Sequence, residues 1–281
     1  MKSKIVLVTG SSRGIGEAIF RHLKSKGYKV FGSSRSPEPT PNHFQLDVTN
    51  PMSCQNVINT IVEREGRLDV LINNAGFHLT GACLENSLEE LQSQMNLNFY
   101  GAVHMIRASL PIFLQQKSGN IINMSSLGGL LSLPFTSAYN ASKFALEGYT
   151  EALRLELLPL GIYVSNLEPG YVNSGTIEQS IGAPQTAVKP FSKYREILHK
   201  KMESESLTGS SKESIAKTIE GILNEKKPSF RYKIGGMSKF LPVLQRILPD
   251  RSFEKNVLSS FGLPLKIDFD PSEINLNLTS K

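Results

Sequence analysis

The sequence predicts an α/β fold: a doubly wound parallel sheet of about seven strands, with a helical substrate lid and a C-terminal helical extension. Three observations predict it. Short apolar runs alternate with segments of helical period from Ile5 to Ile234, the order that lays helices on both faces of a parallel sheet. A glycine-rich turn, Thr9 to Gly16, joins the first apolar run to the first helical segment. Later runs end in small or polar residues, at Asn73 to Gly76, at Ser125 and Ser126, and at Glu168 to Gly170. These are the carboxyl ends of strands, where such sheets bind ligands.

Composition supports one large unit. A chain of 281 residues, 40% hydrophobic and 20% charged, can bury a sizeable core and is not biased towards disorder. No apolar run reaches the ~18 residues that a membrane span needs. Met1 to Lys4 lead straight into Ile5-Val6-Leu7-Val8, too short and strand-like for a signal peptide. Cys54 and Cys83 have no paired spacing, which predicts a reducing, cytoplasmic setting without disulfides. His22, His43, His78, His104 and His199 lack ligand spacing, so no metal is expected. The net charge of +6 is densest at Lys189, Lys193, Arg195, Lys200 and Lys201; no interleaved aromatic motif accompanies them, and a solvated helix face is expected rather than a nucleic-acid surface.

The elements follow in order. After the strand at Ile5 to Val8, the turn Gly10-Ser11-Ser12-Arg13-Gly14-Ile15-Gly16 opens a helix with Ala18, Ile19 and Leu23 inward. Unpaired N–H groups and the positive end of the helix dipole make this a pyrophosphate site. Gly10 serves the tight turn, Gly14 the close approach of phosphate, and Gly16 the packing of helix on strand. Tyr28 to Arg35 is the second strand. Its end carries Ser34 and Arg35 and no carboxylate, and with Arg13 nearby this favours a 2′-phosphate, hence NADP(H) over NAD(H), unless either arginine is merely exposed.

Phe44 to Val48 is the third strand, and Asn50-Pro51 caps the helix whose inner face is Val57, Ile58, Ile61 and Val62. Leu68 to Asn73 forms the fourth strand. Ser87 and Glu90 make a capping box for a helix running through Asn98 to Ile112; Asn98 is a poor mid-helix residue that suits a kink or a buried polar contact. Asn120 to Met124 is the fifth strand and delivers Ser125 and Ser126. A helix carrying Tyr139 and Lys143 runs to Pro159, Ile162 to Leu167 is the sixth strand, and Ser229 to Ile234 is the last.

Tyr139 and Lys143 lie four apart and share one helix face. The spacing is common on solvated helices. As chemistry it sets an ammonium beside a phenol, favours the phenolate and lowers the pKa from ~10 towards neutrality, making a tuned acid/base.

Together the motifs carry a resemblance. Thr9-Gly10-x-x-x-Gly14-Ile15-Gly16, Asp47, Asn73-Asn74-Ala75-Gly76, Asn98, Ser126, Tyr139-x-x-x-Lys143 and Pro169-Gly170 stand in the order of the short-chain dehydrogenases/reductases, which the chain resembles over about residues 4 to 175. The segments Leu133-Pro134-Phe135 and Ala141 to Gly148 are similar to the 17β-hydroxysteroid dehydrogenase type 1 and retinol dehydrogenase branch. The resemblance implies a single Rossmann-type domain over residues 1–281, with core about 4–175, lid about 176–206 and extension 235–281. It implies an NADP(H)-dependent oxidoreductase in which Tyr139 gives a proton to a carbonyl oxygen, or takes it from the alcohol, as hydride passes from or to nicotinamide. Lys143 would hold the nicotinamide ribose and lower the Tyr139 pKa, Ser126 would bind the substrate oxygen, and Asn98 would hold a relay water. Asp47 and Val48 would contact adenine, Asn74 the adenosine side with Ala75 and Gly76 beside it, and Val172 and Ser174 the carboxamide; many relatives carry threonine where Ser174 stands.

Phe191, Tyr194, Leu198 and Met202 recur at helical spacing, either a lid underside suited to a lipophilic steroid-, retinoid- or lipid-like substrate or core packing. The extension pattern of Phe240, Leu244, Ile247, Phe253, Val257 and Phe261 beside basic residues suits packing over the site or against a second subunit of a homodimer or homotetramer, or peripheral membrane contact. A reductase of carrier-bound ketones and a non-catalytic NADP-binding regulator are the alternatives. Loss of Ser126, Tyr139 or Lys143 would have favoured the regulator, and all three are present.

Overall fold

A computed structural model describes residues 3–173 and 189–267. Its strands are β1 (Ile5–Thr9), β2 (Lys29–Ser34), β3 (His43–Gln45), β4 (Val70–Asn73), β5 (Gly119–Met124), β6 (Ile162–Pro169), β7 (Val172–Asn173), β8 (Ser210–Ser211) and β9 (Arg231–Ile234). Its helices are α1 (Gly14–Ser25), α2 (Pro51–Glu65), α3 (Leu88–Met95), α4 (Gly101–Gln116), α5 (Ser137–Leu157), α6 (Lys189–Leu207), α7 (Lys212–Asn224), α8 (Gly236–Ile247) and α9 (Asp250–Ser260). Seven strands form one parallel sheet in the order β3-β2-β1-β4-β5-β6-β9, so the chain reverses its direction of travel between β1 and β4. That switch point opens a crevice at the carboxyl ends.

Strand alternation divides the core. Ile5 and Leu7 face one cluster with Ile58, Met105, Phe113 and Leu157, while Val6 and Val8 face the other with Ile19, Leu23, Ile215 and Ile219. Neither face can be wetted, so β1 is buried along its whole length. The expected caps are present: Asn50 accepts from Met52 N and Ser53 N, and Ser87 and Glu90 form a reciprocal box at α3.

Three features depart from expectation. The third strand is shorter than the run Phe44 to Val48, ending at Gln45. The long helix is interrupted by a π turn at Asn96–Tyr100, centred on Asn98. β7 and β8 form a small parallel pair of their own, joining Val172 to Ser210. β7 and β8, of two residues each, are too short to show a period-2 pattern.

Candidate active site

The crevice is a cavity of 660 Å³ that runs from the glycine turn to Tyr139 and on to Leu133, Tyr171 and Met202. Its floor is the row of strand ends. Gly10 and Gly14 adopt φ values of 65° and 60°, which L side chains rarely take. A Cβ on Gly10 would stand 2.8 Å from the Ala75 Cα, and one on Gly16 would collide with the Gly10 carbonyl oxygen and the Asn74 amide. The turn therefore lies flat against the Asn74–Ala75 backbone, and Arg13, the N-cap of α1, gives no side-chain cap to the first-turn N–H groups. Those groups, with Ser12, Gly14, Ile15 and Gly16 along the wall, fit a phosphate.

Side chains staple this end. Thr9 Oγ1 accepts from Asn74 N at 3.0 Å and Ala75 N at 3.1 Å, and Asn74 Nδ2 donates to the carbonyls of Thr9 and Gly10. Ser11 turns inward instead: its hydroxyl accepts from Ser33 N at 2.8 Å and lies 3.2 Å from His43 Nε2. Arg13 and Arg35 are exposed at the edge of the cavity, and Asp47, Val48, Ala75, Gly76 and Val172 line it. Asp47 Oδ1 accepts from the Thr49 amide and hydroxyl, which fixes the turn after β3. Ser174 lies outside the described residues.

At the far end Ser126, Tyr139 and Lys143 meet. Ser126 leaves β5 in extended conformation, and its Oγ accepts from Gly128 N at 3.1 Å. Lys143 is 7% exposed and its ammonium donates to the Met124 carbonyl at 2.7 Å, 5.7 Å from the centre of the Tyr139 ring. A Cβ on Gly128 would stand 3.0 Å from Tyr139 Cε1, so the glycine gives the phenol its place. The electrostatics differ from the pair read alone. Burial pushes the Tyr139 phenol above its usual range, against the Ser126 hydroxyl, which pulls it down. Burial likewise lowers Lys143 to about 8, with Glu147 opposing. An ammonium tied to a carbonyl does not by itself overcome the desolvation of the phenol.

Protein groups engage the Asn98 carboxamide at both ends. Oδ1 accepts from Phe77 N at 3.0 Å, and Nδ2 donates to Phe77 O at 2.9 Å and Ser142 Oγ at 3.2 Å. It clamps the turn after β4 onto α5. Arg195, expected on a solvated face, instead pairs with Glu85, whose side chain is fully buried.

Sequence reasoning missed two supports. Asn73, Asn123 and Asn166 are in register across β4, β5 and β6. Asn73 Nδ2 donates to Asn123 Oδ1, and Asn123 Nδ2 donates to Thr150 Oγ1 of α5. Three asparagines within the largely apolar runs of the fourth, fifth and sixth strands were the available signal. The other is His78, set aside as an ordinary histidine. It lines the cavity with its ring 4.1 Å from that of Tyr139, and burial, then Lys143, lowers it to about 4.

The profile of the short chain dehydrogenases matches residues 4–185. The chain belongs to the short-chain dehydrogenase family. Short-chain dehydrogenases are oxidoreductases, and this one is an enzyme of CH–OH and ketone groups that uses a nicotinamide cofactor. It is 37% identical over 249 residues to the 3-ketodihydrosphingosine reductase of Bacteroides thetaiotaomicron, covering 86% of this chain and 91% of the relative. It is 32% identical over 277 residues to human 17-beta-hydroxysteroid dehydrogenase type 1, covering 90% and 83%. The structure of ElxO with NADP bound superposes with a TM-score of 0.69 at 27% identity, covering 84% of this chain and 99% of that one. No helix among the described residues is long and apolar enough to cross a membrane.

Proposed function

We propose that this short-chain dehydrogenase is an NADP(H)-dependent reductase of a ketone or aldehyde on a lipophilic molecule. The observation that carries the reading is one cavity holding Ser126, Tyr139 and Lys143 at one end and an uncapped helix start flanked by Arg13 and Arg35 at the other. The nicotinamide, when bound, supplies the hydride. Tyr139 then gives its phenolic proton to the carbonyl oxygen, and Ser126 donates a hydrogen bond to the same oxygen as charge develops there. Lys143 binds the nicotinamide ribose and steadies the phenolate left behind. Arg13 and Arg35 pair with the 2′-phosphate, Asp47 and Val48 border the adenine, and Asn74, Ala75, Gly76 and Val172 line the path between them.

The apolar lining of Leu133, Tyr171 and Met202 supports a lipophilic substrate. NADPH oxidation measured with 3-ketodihydrosphingosine, a 17-ketosteroid and retinal tests the reading. Turnover of at least one is expected, and none with any of the three would reject the substrate class. Exchanging Arg13 and Arg35 together for serine should weaken NADPH and leave NADH, whereas an unchanged preference would refute the cofactor assignment.

A peripheral contact with lipid is supported by α8, where Phe240, Val243 and Ile247 are 64%, 48% and 73% exposed on one stripe beside Lys239 and Arg246. Flotation with anionic liposomes tests it: co-migration is expected, and its absence removes the idea. Exposed Phe144 and Leu155 on α5 support a homodimer or homotetramer, which light scattering would distinguish from a monomer.

A further inference from the structure

Behind Lys143, away from the cavity, lies a group of buried acids that the reaction as described does not use. Glu147 is one turn further along α5, on the same face as Lys143, and is 5% exposed. Glu168 of β6 is 0% exposed. Arg231 of β9 serves both: its Nε lies 3.2 Å from Glu147 Oε2 and 3.1 Å from Glu168 Oε1, while its Nη2 is 3.0 Å from Glu151 Oε2. One guanidinium thus faces three carboxylates. Glu147 Oε1 is buried without a hydrogen-bond partner.

This arrangement is costly as mere architecture. A buried carboxylate with a free oxygen loses hydration that a single shared arginine does not fully replace. The cost is reduced where a second cation can use the charge, and Lys143 is that cation. A Cβ on Gly129 would stand 3.1 Å from Glu147 Cγ and from the Lys143 backbone carbonyl, so the glycine lets the turn after β5 pack directly on this face of α5. The groups facing Glu147 are Lys143 and Glu151 on α5, Glu168 on β6, and Arg231 on β9, with Lys233 beyond Glu168 and Tyr139 and His78 on the cavity side of Lys143. Burial, and then Glu147, pushes Glu168 up to about 7, against Arg231 and Lys233.

We propose that Glu147, with Glu168 and Arg231 behind it, is a positioning residue that keeps Lys143 charged while Tyr139 works, and so sets the alkaline limit of turnover. The inference rests on the Tyr139–Lys143 reading above. The sign follows from the geometry. Lys143 is buried, which favours the neutral amine; the Glu147 carboxylate favours the ammonium. Without that carboxylate, Lys143 would lose its proton at lower pH, and the phenolate at Tyr139 would lose its counter-charge.

The test is the pH profile of kcat for NADPH-dependent reduction, on the full chain with a ketone it turns over. Glu147→Gln should move the alkaline limb down by about one pH unit or more. Turnover at pH 8 would then fall about fivefold or more while turnover at pH 6 stays within about twofold. Glu151→Gln, which removes an exposed partner of the same arginine, should leave the limb in place. A role confined to holding α5 against β9 would scale activity equally at every pH, and that result, or a superimposable profile, overturns the proposal. If Glu147→Gln does not fold, Glu147→Asp carries the test: the retracted charge should lower the ratio of turnover at pH 8 to that at pH 6 by a smaller factor, and an unchanged ratio overturns it. Tyr139→Phe in parallel separates the two levels. Turnover surviving that exchange rejects the acid/base reading itself, whereas an inactive Tyr139→Phe beside an unmoved Glu147→Gln limb rejects only the part assigned to Glu147.

Discussion

The two ends of the cavity are held by different means. At the cofactor end, backbone lies on backbone: the glycine turn rests on Asn74 and Ala75, and Thr9 and Asn74 close the gap with four hydrogen bonds to main-chain groups. At the end beyond Tyr139, side chains from distant segments do the holding. Leu198 and Met202 of α6 pack with Phe261 and Leu263 beyond α9, and against Leu133, Phe135 and Tyr171, in a small cluster apart from the two sheet faces. Backbone contacts leave no room for variation, whereas a side-chain cluster can be rebuilt around a different substrate. One chain can therefore keep its cofactor chemistry and change what it acts on.

That contrast can be broken or sharpened by substitution, taken from the largest expected effect on binding to the smallest. Gly16→Ala drives a Cβ into the Gly10 carbonyl, and overpacking against backbone should cost about 1–3 kcal/mol, weakening NADPH by roughly 10- to 100-fold in a fluorescence titration. Wild-type affinity in that variant would mean that the turn has slack. Phe261→Ala, which empties the side-chain cluster, should raise KM for substrate several-fold with NADPH affinity unchanged; a parallel loss of NADPH affinity would show that the two ends are not separable.

Glu85→Gln keeps the shape but removes the charge that Arg195 pairs with on α6, so a loss of about 1 kcal/mol, read as a small rise in KM, is expected. No change in KM would mean that the pair does not hold α6 in place. The smallest effect is on pH dependence. His78 has a folded-state value of about 4 against 6.5 in the open chain, so between these the unfolded state binds more protons and stability falls as pH drops from 6.5 towards 4. His78→Phe keeps the ring against Tyr139 and removes the titration. Its unfolding free energy should therefore depend less on pH across that window, and an unchanged slope would contradict the burial of His78.

The same contrast explains what could be read from the chain. Gly10, Gly14, Gly16, Asn74, Ser126, Tyr139 and Lys143 sit within short runs whose local geometry dictates their residue types, and they meet because each run ends at the same edge of one sheet. The cluster of Met202, Phe261 and Leu133 joins segments more than fifty residues apart, and nothing in their local spacing says that they touch. Asn98 was recognisable as unsuited to a helix interior, but its partners, Phe77 and Ser142, follow from the π turn and the packing of α5. The raised phenol at Tyr139 was not legible because desolvation depends on everything around it, while i to i+4 spacing reports a single neighbour.

The most direct test is Tyr139→Phe, assayed for ketone reduction and for NADPH binding in the same preparation. The phenyl ring keeps its contacts with Gly128 and His78 and loses the hydroxyl that carries the transferable proton and meets Ser126. Turnover should fall by about 10³-fold with NADPH affinity essentially unchanged. Turnover within tenfold of the wild type, with NADPH still bound, would show that the proton comes from elsewhere.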